Sequence, residues 1–141
     1  MNMTGGGLKN CRVVNLPRVQ DSRGNLTFAQ DFDQVPFSIR RVYFLYDVPA
    51  GSERGGHAHK SLHQFIVPVA GSFDVQLHDG EKEQTFRMNR PFLGLYVAPM
   101  TWRSLRNFSS GSVCLVLASE LYDEDDYYRE YGAFIKAAGK P

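Results

Sequence analysis

Three of the four histidines fall in one short run, Gly56-His57-Ala58-His59-Lys60-Ser61-Leu62-His63-Gln64. On an extended chain, residues two apart point to the same face, about 6.6 Å from each other. His57 and His59 are therefore expected to project side by side. If that face is inward, they line the mouth of a β-barrel. Two imidazoles so placed suit either metal binding or proton transfer, because the unperturbed pKa of histidine is about 6.5. His63 adjoins Gln64 and should face the other way. His78 sits by a hairpin tip. Neither is a site candidate.

The elements that must position the pair read as short strands divided by turn signals. Candidate strands are Cys11 to Leu16, Asn25 to Gln30, Ile39 to Asp47, Leu62 to Val69, Phe73 to His78, Gln84 to Met88, Phe92 to Ala98 and Ser112 to Ser119. Asp21-Ser22-Arg23-Gly24, Pro49-Ala50-Gly51-Ser52 and Ala70-Gly71-Ser72 are turns, and Asp79-Gly80 is a strong hairpin signal. Turn signals recurring at about 8–12 residues predict an all-β sandwich, jelly roll or barrel. The C-terminus differs. Tyr127, Tyr131, Phe134, Ile135 and Ala138 have helical spacing. The run Asp123-Glu124-Asp125-Asp126 suits the positive end of a helix dipole, so a helix is expected over about 123–138. Residues 1–9 are Gly-rich and expected to fray. Residues 10–141 are expected to form a single domain.

The chain has 141 residues, 16 Lys+Arg and 15 Asp+Glu, for a formal net charge of +1. That balance gives no attraction to nucleic acid or to an acidic membrane. No apolar run approaches the roughly 20 residues of a membrane helix. No export signal is visible, and Cys11 and Cys114 make neither a disulfide framework nor a zinc ligand set. A cytoplasmic location is the expectation. Arginine outnumbers lysine 11 to 5. Its planar fork of donors suits phosphate and carboxylate oxygens.

The segment from Pro49 to Gly71, with Gln64 five residues after His59, resembles the first motif of the cupin superfamily. Gly94-Leu95-Tyr96-Val97-Ala98-Pro99-Met100-Thr101-Trp102-Arg103 resembles the second. Cupins often hold a metal on histidines and a glutamate. Here the glutamate position carries Gln64, and Arg103 and Ser104 stand near the late histidine's place. Arginine stays protonated and repels a cation. Two histidines alone fall short of the usual ligand number. No metal is expected, which leaves the histidines free for proton chemistry.

The strings SIRRVYFLYD, RGGHAHKSLHQ, GLYVAPMTWR and LASELYDEDDYYREY, in that order and spacing, resemble the dTDP-4-keto-6-deoxyglucose 3,4-ketoisomerases, the WxcM-like cupins. The resemblance runs from about Val13 to Phe134. It implies a cupin (RmlC-like) jelly-roll barrel, the double-stranded β-helix, followed by a C-terminal α-helix. It also implies a homodimer with exchanged N-terminal strands and no cofactor. The implied reaction moves a keto group from C4 to C3 of dTDP-4-keto-6-deoxyglucose, on the way to a 3-amino-3,6-dideoxyhexose nucleotide of a surface glycan.

That reaction needs a base for the C3 proton, an enediol, and an acid that returns a proton to C4. His59 is expected to be the base and His57 its partner. Tyr43 and Arg41 share a strand face and are candidates to stabilise the enediolate. Arg23, Arg54 and Lys60 are candidates for the diphosphate, Tyr96 and Trp102 for the thymine or the sugar, and Gln64 for sugar hydroxyls. Some family members carry Trp-His where this chain has Trp102-Arg103, and the position of Arg23 also varies. Arg103 inclines the expected product toward the gluco configuration, and Arg23 toward the galacto. Alternative readings of the same residues are a deoxysugar 3,5-epimerase, a metal-dependent cupin and a sugar-nucleotide-binding module without catalysis.

Overall fold

The computed structural model describes residues 8–139. Of the residues expected to fray, 1–7 lie outside the described residues. Leu8 is not frayed but buried in the core.

Two five-stranded antiparallel sheets face each other. The strands are β1 (Arg12–Asn15), β2 (Arg18–Asp21), β3 (Gly24–Thr27), β4 (Arg41–Leu45), β5 (Arg54–His59), β6 (Gln64–Ala70), β7 (Phe73–His78), β8 (Glu83–Met88), β9 (Leu93–Val97), β10 (Trp102–Arg106), β11 (Val113–Ala118) and β12 (Tyr127–Tyr128). One sheet runs β1-β9-β6-β11-β4 and the other β12-β5-β10-β7-β8. The hairpin β2–β3 forms a separate two-stranded sheet. Alternation along the strands sends Phe65, Leu77, Leu95, Leu105 and Val116 into the shared core, and all are fully buried. Gly94 lies under the Phe65 ring, where a Cβ would approach ring carbons to 2.2 Å.

This is the expected all-β jelly-roll architecture. The candidate strands leave out β2, β5 and β10: Arg-Gly-Gly-His-Ala-His of β5 and Trp-Arg-Ser-Leu-Arg of β10 lack a β-branched residue. Pro68 sits within an interior strand, a poor place for a residue without an N–H. The register of β11 against β6 shifts between Val113 and Cys114, opposite Pro68, and this irregularity accommodates it.

The expected helix over 123–138 is corrected. Glu124–Asp126 make a single 3₁₀ turn, Tyr127–Tyr128 form β12, and the helix α1 spans only Tyr131–Gly139. Tertiary partners override the local helical pattern here. Tyr127 and Tyr128 pair with His59 and Ala58 at the edge of β5. Asp123 caps the 3₁₀ turn by accepting from the Asp125 N–H at 3.1 Å. Phe134 then buries the helix against the sheet, with Trp102 and Tyr128 around it.

Candidate active site

Both histidines point inward, at 9% and 4% exposure for His57 and His59. The bend that aims them is a glycine bulge. Against β10, Arg103 pairs with His57 but Leu105 pairs with Arg54, so β5 carries one extra residue. Gly55 takes it up with φ of +75°, and a Cβ there would crowd Leu105 at 3.3 Å. The Arg54-Gly55-Gly56-His57 sequence is thus the local reason that His57 turns toward the barrel interior.

The His57 and His59 rings meet edge-on with centroids 4.9 Å apart. Tyr127 lies against both, at 5.0 Å from His57 and 4.3 Å from His59. The Arg129 guanidinium covers the Tyr127 ring at 4.0 Å and is itself held by Glu124, with Nε to carboxylate at 2.5 Å. The Tyr122 hydroxyl also bonds Glu124.

Arg103 is 3% exposed and reaches both His57 and Tyr43. Its Nε donates to His57 Nε2 at 3.4 Å, and its Nη2 donates to the Tyr43 hydroxyl at 2.9 Å. Gln64 Nε2 donates to the same hydroxyl at 2.8 Å. Tyr43 therefore accepts two hydrogen bonds, one of them from a cation. Its lone pairs are occupied and its proton is free to be donated.

His59 Nδ1 faces Asp126 Oδ2 at 3.4 Å, though without hydrogen-bond alignment. Burial, then the Arg103 cation, push His57 down to about 2. Burial, then Arg103, push His59 down to about 4 against the opposing pull of Asp126. Both imidazoles are neutral at neutral pH, the form a proton acceptor needs.

Two cavities adjoin the pair. One of about 260 Å³ is walled by Arg41, Tyr43, Arg54, His57, Arg103, Tyr122 and Tyr127. A larger one of about 730 Å³ includes His59, Ser61, His63, Arg40, Phe37 and Asp126. Arg41, Tyr122 and Tyr127 stand in the wall between them.

Of the residues singled out from sequence, His57, His59, Arg41, Tyr43, Arg54, Gln64 and Arg103 come together here. Four do not. Lys60 lies outside both cavities, with its ammonium 5.3 Å over the Tyr128 ring. Arg23 caps the β2–β3 hairpin, exposed and paired with Asp21 at 2.8 Å. Tyr96 stacks on His63, with its hydroxyl 2.6 Å from His63 Nδ1, and lines neither cavity. Trp102 points from β10 opposite to Arg103 and packs on Tyr131 and Phe134 of α1, because neighbours on a strand face opposite ways. His63 faces away from Gln64 as expected, yet it lines the larger cavity.

Sequence reasoning missed Asp126, Tyr122 and Tyr127. The acidic run matches a helix start, and the one signal pointing elsewhere is the resemblance carried by its string.

The residues do not fit a divalent cation. The lone pair of His57 Nε2 faces a guanidinium donor, Gln64 stands where a carboxylate would be needed, and Arg41 and Arg103 add positive charge.

Residues 9–139 match the FdtA family, described as WxcM-like, C-terminal. A TDP-4-oxo-6-deoxy-alpha-D-glucose-3,4-oxoisomerase of Aneurinibacillus thermoaerophilus is 43% identical over 129 residues, 92% of this chain and 93% of the relative. The crystal structure of a histidine-to-asparagine mutant of the 3,4-ketoisomerase QdtA from Thermoanaerobacterium thermosaccharolyticum, in complex with TDP-4-keto-6-deoxyglucose, superposes with a TM-score of 0.91. It is 38% identical and covers 94% of this chain and 96% of its own. The TDP-quinovose 3,4-ketoisomerase WlaRB of Campylobacter jejuni is 42% identical, with a TM-score of 0.87 over 91% of this chain and 98% of that one.

Proposed function

Because the chain belongs to the FdtA, WxcM-like family and is an enzyme of the 3,4-ketoisomerase type, we propose that it moves the keto group of dTDP-4-keto-6-deoxyglucose from C4 to C3 by histidine-mediated proton transfer. The observation that carries the proposal is the small cavity in which His57 and Tyr43 face a space walled by Arg41, Arg54 and Arg103. A base, a hydrogen-bond donor and cations for a diphosphate converge there. The QdtA variant bound to TDP-4-keto-6-deoxyglucose adds support, since the same sugar nucleotide fits a relative with this fold.

The C3 proton is acidic because it lies beside the C4 carbonyl. A base takes it, the electron pair of the C3–H bond forms the C3–C4 double bond, and the C4 oxygen becomes an enediolate. The Tyr43 O–H and the Arg103 guanidinium stabilise that oxygen. As C3 becomes the carbonyl, the C3 hydroxyl proton is transferred to the C4 oxygen, which becomes a hydroxyl, and the protonated histidine pair delivers a solvent-exchangeable proton to C4. Bonds and protons balance with no net redox change.

In this reading His57 is the base, because it lines the arginine-walled cavity, whereas His59 opens onto the larger one. That reverses the order expected from sequence. The 3.4 Å contact of Arg103 with His57 Nε2 is long enough for substrate to displace, and it keeps that nitrogen unprotonated. His59, edge-on to His57, is the partner in returning the proton.

The proposal includes a homodimer with exchanged N-terminal strands. The β2–β3 hairpin belongs to neither main sheet, and Val19 and Leu26 on it are 55% and 57% exposed. Exchange would carry Arg23 toward a second copy's site. The proposed setting is the cytoplasm, in keeping with two free, buried cysteines, and the proposed product feeds amination at C3.

The test is an NMR time course in heavy water on chelator-treated protein with dTDP-4-keto-6-deoxyglucose. A 3-keto product with deuterium at C4 supports the proposal. Deuterium at C5 makes it an epimerase. Tight dTDP binding with no exchange makes it a binding module.

A further inference from the structure

We infer that Asp126 is a positioning residue for His59, holding its imidazole in the Nδ1–H tautomer so that Nε2 is the nitrogen that exchanges protons. The inference rests on the reading that His59 takes part in proton transfer. Nothing in the local sequence required it, since Asp126 lies 67 positions along the chain from His59 within an acidic run suited to a helix start.

The geometry is built from both sides. The Asp126 carboxylate is fixed before it meets the imidazole. Its Oδ1 accepts from the Ser61 N–H at 2.9 Å and from the Ser61 hydroxyl at 2.7 Å. Its Oδ2 accepts from the Leu62 N–H at 3.1 Å. The Asp126 carbonyl also accepts from the Lys60 N–H at 2.8 Å. The aspartate is thus locked to the turn that leaves β5, immediately after His59.

His59 is held as firmly. Its backbone pairs with Tyr127, and its carbonyl accepts from the Met100 N–H at 2.7 Å. With both backbones pinned, Oδ2 stands 3.4 Å from Nδ1. Both ring nitrogens of His59 are buried and have no aligned partner among the described residues. Of the groups facing this ring, Arg103 on β10 and Arg41 on β4 are cations that disfavour its protonation. His57 on β5 and Tyr127 on β12 present ring carbon and edge contacts. Asp126 is the carboxylate that draws a proton to this side. A carboxylate opposite Nδ1 selects the tautomer with its hydrogen there. Contacts of this kind tighten when substrate is bound.

The test is nitrogen-15 NMR of histidine-labelled protein at pH 7, read alongside turnover. Wild type is expected to show His59 neutral and protonated at Nδ1. An Nε2–H tautomer in wild type overturns the inference, with no variant needed. In Asp126→Asn the Nδ1–H preference should be lost. There kcat should fall roughly tenfold to hundredfold, with KM within about twofold. The acid limb of kcat governed by His59 should move to lower pH, because the charge favouring imidazolium is gone.

Asp125→Asn is the control for mere loss of a charge in the same turn. Asp125 is exposed and lines neither cavity, so tautomer and kcat should stay within about twofold of wild type. Equal losses in the two variants, or an unmoved tautomer in Asp126→Asn, overturn the inference. The tautomer is read without substrate, so failure here is separable from failure of the proposed reaction.

Discussion

Arg103 stands against His57, Nε to Nε2 at 3.4 Å, and reaches Tyr43 with its other end. The guanidinium does three things there. It opposes protonation of His57, it donates to Nε2 and so holds that nitrogen as an acceptor, and it polarises the Tyr43 hydroxyl at 2.9 Å. Together with Gln64 at the carboxylate position, Arg103 suits the pocket to proton chemistry and not to metal ligation.

His57→Asn is expected to keep the fold and to lower turnover by about two to four decades, the usual worth of a general base. His59→Asn should lower it less if His57 meets C3. The two kcat values on dTDP-4-keto-6-deoxyglucose decide which histidine is the base. A His59→Asn loss larger than that of His57→Asn restores the order expected from sequence.

Arg103→His should change the rate or the product configuration at C4 more than it changes stability. It removes the cation beside His57 and introduces a second titratable donor. Coupling constants in the product spectrum measure the configuration, and an unchanged ratio at unchanged rate would remove Arg103 from the stereochemical argument.

Acid should destabilise the fold through the buried histidines. Their folded pKa values, about 2 for His57 and about 4 for His59, lie below the unfolded value near 6.5. The unfolded chain therefore binds more protons as pH falls. Stability is whole above pH 6.5 and is lost below it, at up to about 1.4 kcal/mol per pH unit for each histidine. Urea melts at pH 7.5 and 5 test this. A double asparagine variant at 57 and 59 should show a flatter profile.

Gly94→Ala should cost about 1–3 kcal/mol, because its methyl would overlap the Phe65 ring in a core with no slack. Thermal melts measure this, and an unchanged midpoint would mean that Phe65 can move aside.

Val19→Ser with Leu26→Ser should shift the chain from dimer toward monomer and reduce activity, if the hairpin packs on a second copy. Sedimentation velocity reads the mass, and a wild-type monomer would end the strand-exchange proposal.

Local residue pattern was enough for much of the architecture. Turn chemistry and period-2 runs placed most strands within a few residues, since those signals act over neighbouring positions. The same alternation put His57 and His59 on one face, whereas the inward direction of that face depends on the bulge against β10. Strand alternation also put Tyr43 and Arg41 on one face, as found.

What local pattern could not decide depended on partners distant in the chain. The bulge at Gly55 is defined only against β10. The helical spacing after Asp123 lost to pairing with β5, because a strand edge satisfied the backbone groups of Tyr127 and Tyr128 first. Trp102 and Tyr96 carried the right chemistry but faced away from the cavities, a fact set by sheet register and not by residue type. Asp126 and Arg103 reach the histidines only because β12 and β10 flank β5. The sequence by itself determined the fold class and the pairing of the two imidazoles on one face. Tertiary structure alone decided which charges surround each imidazole, because burial and Coulomb fields depend on distances between segments that are far apart in the chain.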